Sequence, residues 1–186
     1  MPEITATHNP SDLHDVLGRI EQVFFNNAVN VLPSELTANF DIKLPVLDES
    51  VTFNMGEADV TRIKLIDQTN WTSYAKKGEP DIALQVPSFS AAIADLLGNK
   101  IGSVAVSSAI GAKFQGYSAT PKKVLGSLYF LSDDKLVSVY LPNLEIFATP
   151  VMGDGDNPAY FNCVVTPIPD STGADYYIGI KSVEED

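Results

Sequence analysis

The clearest pattern along the chain is alternation of apolar and polar residues, which is typical of strands with one buried and one solvated face. Residues 36–44 alternate in this way over nine positions, and Val51, Phe53 and Met55 repeat the alternation. Further strand-like runs are 60–66, 82–86, 124–131, 136–141, 144–148, 161–168 and 176–180. The pattern therefore predicts about eight or nine short strands.

Two segments have the spacing of a helix. After Ser11, a possible N-cap, apolar residues recur at helical intervals and predict a helix over 11–24; they are Leu13, Val16, Leu17, Ile20, Val23 and Phe24. An Ala-rich segment that begins after Ser88 or Ser90 and ends at Gly98 predicts a second helix. Residues 99–120 are rich in Gly, Ser and Ala, and predict one weak strand around 104–106 inside a long loop.

These elements predict a mostly-β fold, a β-sandwich or partly closed barrel with one flanking α-helix. The turn residues Ser132 to Lys135 predict a hairpin in its second half. The length of 186 residues fits a single domain over 1–186. We expect residues 1–16 to form an extended N-terminal arm and residues 181–186 to form an acidic C-terminal tail.

The charge balance is strongly acidic, with 24 Asp and Glu against 12 Lys and Arg and a net charge of −12. This balance excludes a basic nucleic-acid groove as the dominant feature, because phosphate binding uses clustered Lys and Arg. The single cysteine, Cys163, excludes an intrachain disulfide framework. Neither a signal-like start nor a long apolar run is present, which predicts a soluble protein made inside a cell.

Two clusters of side chains bear on metal binding. His8, Asp12, His14 and Asp15 lie close together but match no established ligand spacing, and a solvated segment explains them better. The 154–157 segment, Asp-Gly-Asp-Asn, lacks the further ligands of a calcium loop and is better explained as a turn. We therefore expect no metal site.

The sequence offers little for catalysis. Cys163 alternates with Phe161 and Val165 and is expected to be a small buried residue, while both histidines lie in the first fourteen residues. Phosphate-binding loops, dinucleotide fingerprints and nucleophile elbows are absent. We expect no catalytic residue and no cofactor. The basic pairs 76–77 and 122–123 fit solvated turns or contacts with an acidic neighbouring subunit.

The order of segments carries a resemblance to a known family. Residues 120–168 run as strand, Asp-containing turn, a strand ending Tyr140-Leu141-Pro142-Asn143, strand, Gly/Asp/Pro loop and strand. This order resembles the C-terminal half of the tail tube (major tail) proteins of long-tailed bacteriophages. Residues 17–25 resemble the opening strand of that family, and residues 60–86, with the short helix that follows, resemble its middle section.

The resemblance implies a structural protein that forms hexameric rings, which stack into the hollow tail tube through which the genome is delivered. Implied partners are the chain itself and other tail proteins such as the tip, terminator or sheath. DNA would pass through the lumen without sequence-specific binding, and no membrane is involved. The protein would be made in the host cytoplasm and reside in the virion tail. Residues 1–16 and 45–58 are the candidates for bridging subunits and rings.

We further expect the polar face of strand 36–44, or of its neighbours, to line a net acidic lumen, because a basic wall would hold the DNA phosphates. Other functions remain open. They are another virion component such as a decoration or terminator protein, a tube protein of a bacterial injection or secretion apparatus, an enzyme, and a β-sandwich module that binds a sugar or protein ligand. Candidate ligand contacts for the last are Trp71, Tyr74 and Tyr160.

Overall fold

A computed structural model describes residues 18–66, 71–153 and 158–181. This part of the chain contains twelve strands and one α-helix. The strands are β1 (Ile20–Asn26), β2 (Ile42–Leu44), β3 (Thr52–Asn54), β4 (Asp59–Ile63), β5 (Thr72–Lys76), β6 (Asp81–Val86), β7 (Asn99–Ser107), β8 (Ala112–Ser118), β9 (Lys122–Ser132), β10 (Val137–Val151), β11 (Tyr160–Pro167) and β12 (Tyr177–Ile180). The helix α1 spans Ala91–Leu97.

Eight strands form one antiparallel sheet in the order β2-β1-β9-β10-β11-β6-β3, with β12 also paired to β10. Strand β10 is the longest, and a register shift between Leu141 and Leu144 divides it into two halves that pair with β12 and β11. The sheet curls, since the Phe53 ring on edge strand β3 lies 5.6 Å from the Phe130 ring on β9. The predicted mostly-β class with a flanking helix is confirmed.

The helix follows from local sequence signals. The Ser90 Oγ accepts a hydrogen bond from the Ile93 N–H at 3.4 Å, which caps the first turn. The Gly98 N–H donates to the Ala94 carbonyl and ends the helix. Ile93 and Leu97 are buried in the core beneath it, so α1 covers part of the curled sheet. The prediction of this helix, with its cap and its end, is confirmed.

The helix predicted over 11–24 is wrong for residues 20–24, which belong to strand β1. Val23 and Phe25 point into the core, whereas Phe24 lies on the opposite face 6.3 Å from the Tyr129 ring. Pairing with β2 and β9 on both sides satisfies the backbone of this segment as a strand. Tertiary pairing thus overrides a helical spacing that is only weakly supported by β-branched and aromatic residues. Residues 11–17 lie outside the described part of the chain.

The strand predicted over 36–44 is shorter than expected, since only residues 42–44 form β2. The preceding segment, 27–41, crosses the outer face of the sheet. There the Phe40 ring packs 5.3 Å from Phe24 and 5.5 Å from Tyr129. The Tyr140 hydroxyl donates to the Val31 carbonyl at 3.1 Å and holds the segment in place. Phe40 therefore packs in an outer aromatic cluster and does not take part in strand pairing.

Three further expectations need correction. The runs 136–141 and 144–148 are one bent strand, β10, because β9 pairs along both halves. Residues 99–120 contain a two-stranded hairpin, β7–β8, rather than a loop with one weak strand. Strand β5 was not predicted, since its residues show no regular alternation with strongly apolar positions. The described residues therefore hold more strands than the eight or nine expected.

A hydrogen-bonded cluster around Asp170 fixes the turn before β12. The carboxylate accepts hydrogen bonds from the Tyr177 hydroxyl at 2.6 Å, the Thr172 hydroxyl at 2.7 Å, and the backbone N–H groups of Thr172 and Ala174. These bonds favour the ionised form and lower the pKa of Asp170 to about 2, with the Tyr177 bond the largest cause. The same bond raises the pKa of Tyr177.

We expect this cluster to stabilise the fold above the ordinary Asp pKa near 4 and to lose its contribution as pH falls to about 2. The sign follows because the folded-state pKa lies below the unfolded one. Asp170→Asn should lower the free energy of unfolding at pH 7, and the difference from wild type should shrink toward pH 2. Urea unfolding across this range measures it, with Ser171→Ala, an exposed residue of the same turn, expected to change stability by less than about 0.5 kcal/mol. An equal difference at pH 7 and pH 2 would contradict the assignment.

Candidate assembly interface

Of the candidate metal-binding and catalytic residues, Cys163 alone lies in the described part of the chain. His8, Asp12, His14, Asp15 and the 154–157 segment lie outside the described residues. Cys163 is 1% exposed within β11, and burial raises the pKa of its thiol to about 12, which keeps it protonated. The expectation of a small buried cysteine is confirmed. Over ranges 18–66, 71–153 and 158–181, no group of three or more His, Cys, Asp or Glu is placed to hold a metal ion.

Two hairpins, β4–β5 and β7–β8, form separate two-stranded sheets, and in the described chain neither pairs with the eight-stranded sheet. Every residue of β4 and β5 is exposed. Along this hairpin Val60 is 51% exposed, Trp71 58% and Tyr74 49%. The β4–β5 hairpin therefore presents apolar side chains to solvent.

The β7–β8 hairpin presents apolar side chains on both of its faces. Ala105 pairs with Phe114 on one face, and Val106 pairs with Lys113 on the other, because directly opposed residues of antiparallel strands share a face. Val106 is 69% exposed and Phe114 is 50% exposed. At the tip, between the two strands, Ile110 is 68% exposed. Gly111 adopts φ +64° there, a conformation that favours glycine and closes the turn.

Isolated two-stranded hairpins are marginally stable in water and usually need a third strand or a packing surface. Contiguous exposed apolar side chains mark interaction surfaces on soluble proteins. Neither β4–β5 nor β7–β8 has a third strand in the described chain, and both carry exposed apolar side chains along their strands. The two hairpins therefore expose apolar surface of the kind that marks interaction sites.

Charge is distributed unevenly between the hairpins and the rest of the chain. Residues 59–76 and 99–118 together contain five Lys or Arg and two Asp, and residues 99–118 contain no acidic residue. The remainder of the sequence contains seven Lys or Arg against 22 Asp or Glu. The hairpins are thus basic and apolar, whereas the body that carries them is acidic.

An open groove of about 810 Å³ lies between the start of β1 and the segment that leads into β3. Its apolar wall includes Val46, Val51 and Phe53, all partly buried against the core. The acidic residues around it are Glu21, Asp48, Glu49 and Asp133, and the one basic residue among the described lining, Arg19, forms an ion pair with Asp48. The groove is therefore apolar inside and acidic around its rim.

The sequence-predicted assembly segments fall in different places. Within 45–58, residues 46–49, 51 and 53 line the groove and 52–54 form β3. The bridging of subunits by this stretch stays a prediction, and residues 1–16 lie outside the described part of the chain. Of the basic pairs, Lys77 contacts Asp175 at 2.5 Å and Lys123 pairs with Glu145, both within the same chain. The Lys122 ammonium donates to the Asp95 carbonyl at 2.7 Å.

The aromatic residues considered for ligand binding do not share one element. Trp71 and Tyr74 lie on the β4–β5 hairpin, where Trp71, Arg62, Thr72 and Ser73 line a depression of about 350 Å³. Tyr160 begins β11 in the main sheet. The weak strand predicted around 104–106 lies within β7, but its extension to Asn99–Ser107 and its pairing with β8 are not predicted from the sequence. The available signal was the apolar run 104–106 and the alternating segment 112–117, on either side of the turn sequence Ser-Ser-Ala-Ile-Gly at 107–111.

Comparison with protein-family models, with curated proteins and with solved structures finds no match to this chain. Helix α1, with seven residues, is far below the length needed to cross a bilayer, and the described residues contain no membrane-spanning helix.

Proposed function

We propose that this chain is a structural protein that self-assembles into stacked hexameric rings, the tail tube of a long-tailed bacteriophage. The observation that carries the proposal is the pair of basic, apolar hairpins on an acidic mostly-β body. Such hairpins are covered most simply by copies of the same chain, because every copy also supplies an acidic surface. The hexameric ring and the tube are inferred from the resemblance to tail tube proteins, which rests on the order of segments over residues 17–180.

The acidic body suits a conduit for DNA. Duplex DNA carries one phosphate charge per roughly 1.7 Å of its axis, and a basic wall would retain it through counterion release. The charge at the wall matters over about 8 Å at physiological salt. With the basic residues of the hairpins engaged between subunits, the surface left for the lumen is acidic. A tube whose channel is lined by lysine would contradict this part of the proposal.

Sedimentation velocity and negative-stain electron microscopy over a concentration series test the assembly. We expect species of about six subunits, which convert at high concentration to hollow tubes of uniform width. The physical reason is that burial of the hairpins stabilises association by roughly 25 cal/mol per Å² of apolar surface removed from water. A monomer at all concentrations, with and without a preformed tail-tip complex, would overturn the proposal.

A module that binds a small ligand is the second candidate, favoured by the Trp71 and Arg62 side chains around the same depression. Aromatic and guanidinium groups together suit a sugar or a carboxylate-bearing ligand. Glycan-array binding distinguishes the two functions, since Trp71→Ala would abolish ligand binding by a monomer but would weaken assembly of a tube protein.

A further inference from the structure

We propose that the β7–β8 hairpin of one copy docks in the acidic-rimmed groove of a second copy, with Ile110 on its apolar wall and Lys113 against its rim. This inference rests on the proposed self-assembly and names the contact that holds it together. The occupant of the groove is thus a second copy of this chain.

Charge complementarity selects this pairing. The β7–β8 hairpin carries Lys100 and Lys113 and no acidic residue, whereas four acidic residues line the groove against one arginine. Lys100 contacts Asp95 at the hairpin base, 3.2 Å away, so Lys113 is the lysine placed near the tip. Opposite charges across an interface steer encounter and fix register.

The alternatives within the chain fit less well. The β4–β5 hairpin carries three basic residues, but its sequence also contains Asp59 and Asp67, whose carboxylates the acidic rim would repel. A second concavity, of about 320 Å³ beside α1, includes Phe89 and Phe161 but no charged residue among its described lining. That concavity offers Lys113 no partner, whereas the groove offers both an apolar wall and carboxylates.

The rim is also held in a defined shape at the point where Lys113 would bind. The Ser50 N–H donates to the Leu47 carbonyl at 3.2 Å, and the Ser50 hydroxyl donates to the same carbonyl at 2.6 Å. Within this turn Glu49 adopts φ +58°, a left-handed conformation that is unfavourable for a residue with a Cβ. The turn presents the Glu49 carboxylate on an exposed and preorganised surface.

Disulfide trapping tests the contact directly. We expect Lys113→Cys and Glu49→Cys, on separately tagged copies, to form a mixed disulfide under mild oxidation at least about tenfold faster than Lys113→Cys with Thr120→Cys. Thr120 lies at the second concavity and is the matched control. The native Cys163 is 1% exposed and does not compete.

The outcomes separate this inference from the proposed function. If the wild type assembles but the 113–49 disulfide does not form, or forms no faster than the 113–120 disulfide, the docking is overturned while the tube proposal stands. Failure of the wild type to assemble would overturn both. A disulfide within one copy between Leu13→Cys and Glu49→Cys, faster than the intercopy one, would assign the groove to the N-terminal segment and overturn the docking.

Charge reversal provides an independent measurement. We expect Lys113→Glu and Glu49→Lys each to raise the concentration needed for assembly about tenfold, because each places like charges together at the contact. The double variant carries a reversed pair in every interface and should recover most of the loss. Lys181→Glu, at an exposed position just after β12 and outside the groove lining, is the control for net charge. If the double variant needs as high a concentration for assembly as the two single variants, the pairing of Lys113 with Glu49 is contradicted.

Discussion

Replacing residues 102–115 with Asn-Gly is expected to abolish assembly and to leave the body folded. The remaining pair Ile101–Gly116 would be joined by a two-residue turn that suits antiparallel strands. Val106, Ile110 and Phe114 would be lost together, and central interface residues contribute about 2 kcal/mol or more each when they are hot spots. The concentration needed for assembly should therefore rise at least about 100-fold.

Sedimentation velocity measures the loss of assembly, and urea unfolding measures whether the fold survives. The free energy of unfolding should change by about 0.5 kcal/mol or less, because β7 and β8 pair with each other and not with the main sheet. Val29→Ser, which removes an exposed apolar side chain outside the hairpins, is the control and should assemble normally. Normal assembly of the shortened chain would contradict a role for this hairpin.

Phe130→Ala is expected to lower the free energy of unfolding by about 3–5 kcal/mol, the usual range for a buried phenylalanine. The Phe130 side chain is 0% exposed on β9, and its ring meets Phe53 edge-on across the curled sheet. Its removal leaves a cavity where β3 closes over the core. That loss is a large share of the about 5–15 kcal/mol that stabilises a typical domain.

Urea unfolding with a thermal melt checks this prediction. Phe147→Ala, on the outer face of β10 and 38% exposed, is the matched control and should cost about 1–2 kcal/mol, clearly less than Phe130→Ala. Because Phe53 also lines the groove, Phe130→Ala should weaken assembly even at temperatures where the variant remains folded. If Phe130→Ala and Phe147→Ala lower the free energy of unfolding equally, the Phe130–Phe53 contact is not what closes the curled sheet.

Features with short-range causes were predicted correctly. The turn between β9 and β10 is one of these, since the Asp134 carboxylate accepts from the Leu136 N–H at 2.9 Å and Lys135 adopts φ +61°. The cap at Ser90 and the helix end at Gly98 are others. Each depends on residues within a few positions of one another, so the sequence pattern contains the whole cause.

Features with long-range causes were missed. Gly126 looks ordinary in the sequence, yet a Cβ there would lie 2.4 Å from a Phe25 ring carbon and 2.5 Å from the Asn26 carbonyl oxygen. Its hydrogen atom lets β1 approach β9, which is part of why residues 20–26 form a strand. The β7–β8 hairpin was missed because Gly102 and Gly111, both at positive φ, give the segment the composition of a loop.

By itself the sequence determined that this protein is mostly β with a helix after Ser90, that it is acidic, and that most strands have one apolar face. Only the tertiary structure decided what covers each apolar face. Alternation records that a side chain avoids water, but the partner surface is set by strands distant in the chain. Val23 is therefore core while Val106 is exposed on a basic hairpin, and the hairpin and the acidic groove emerge as two complementary surfaces only once the sheet has formed.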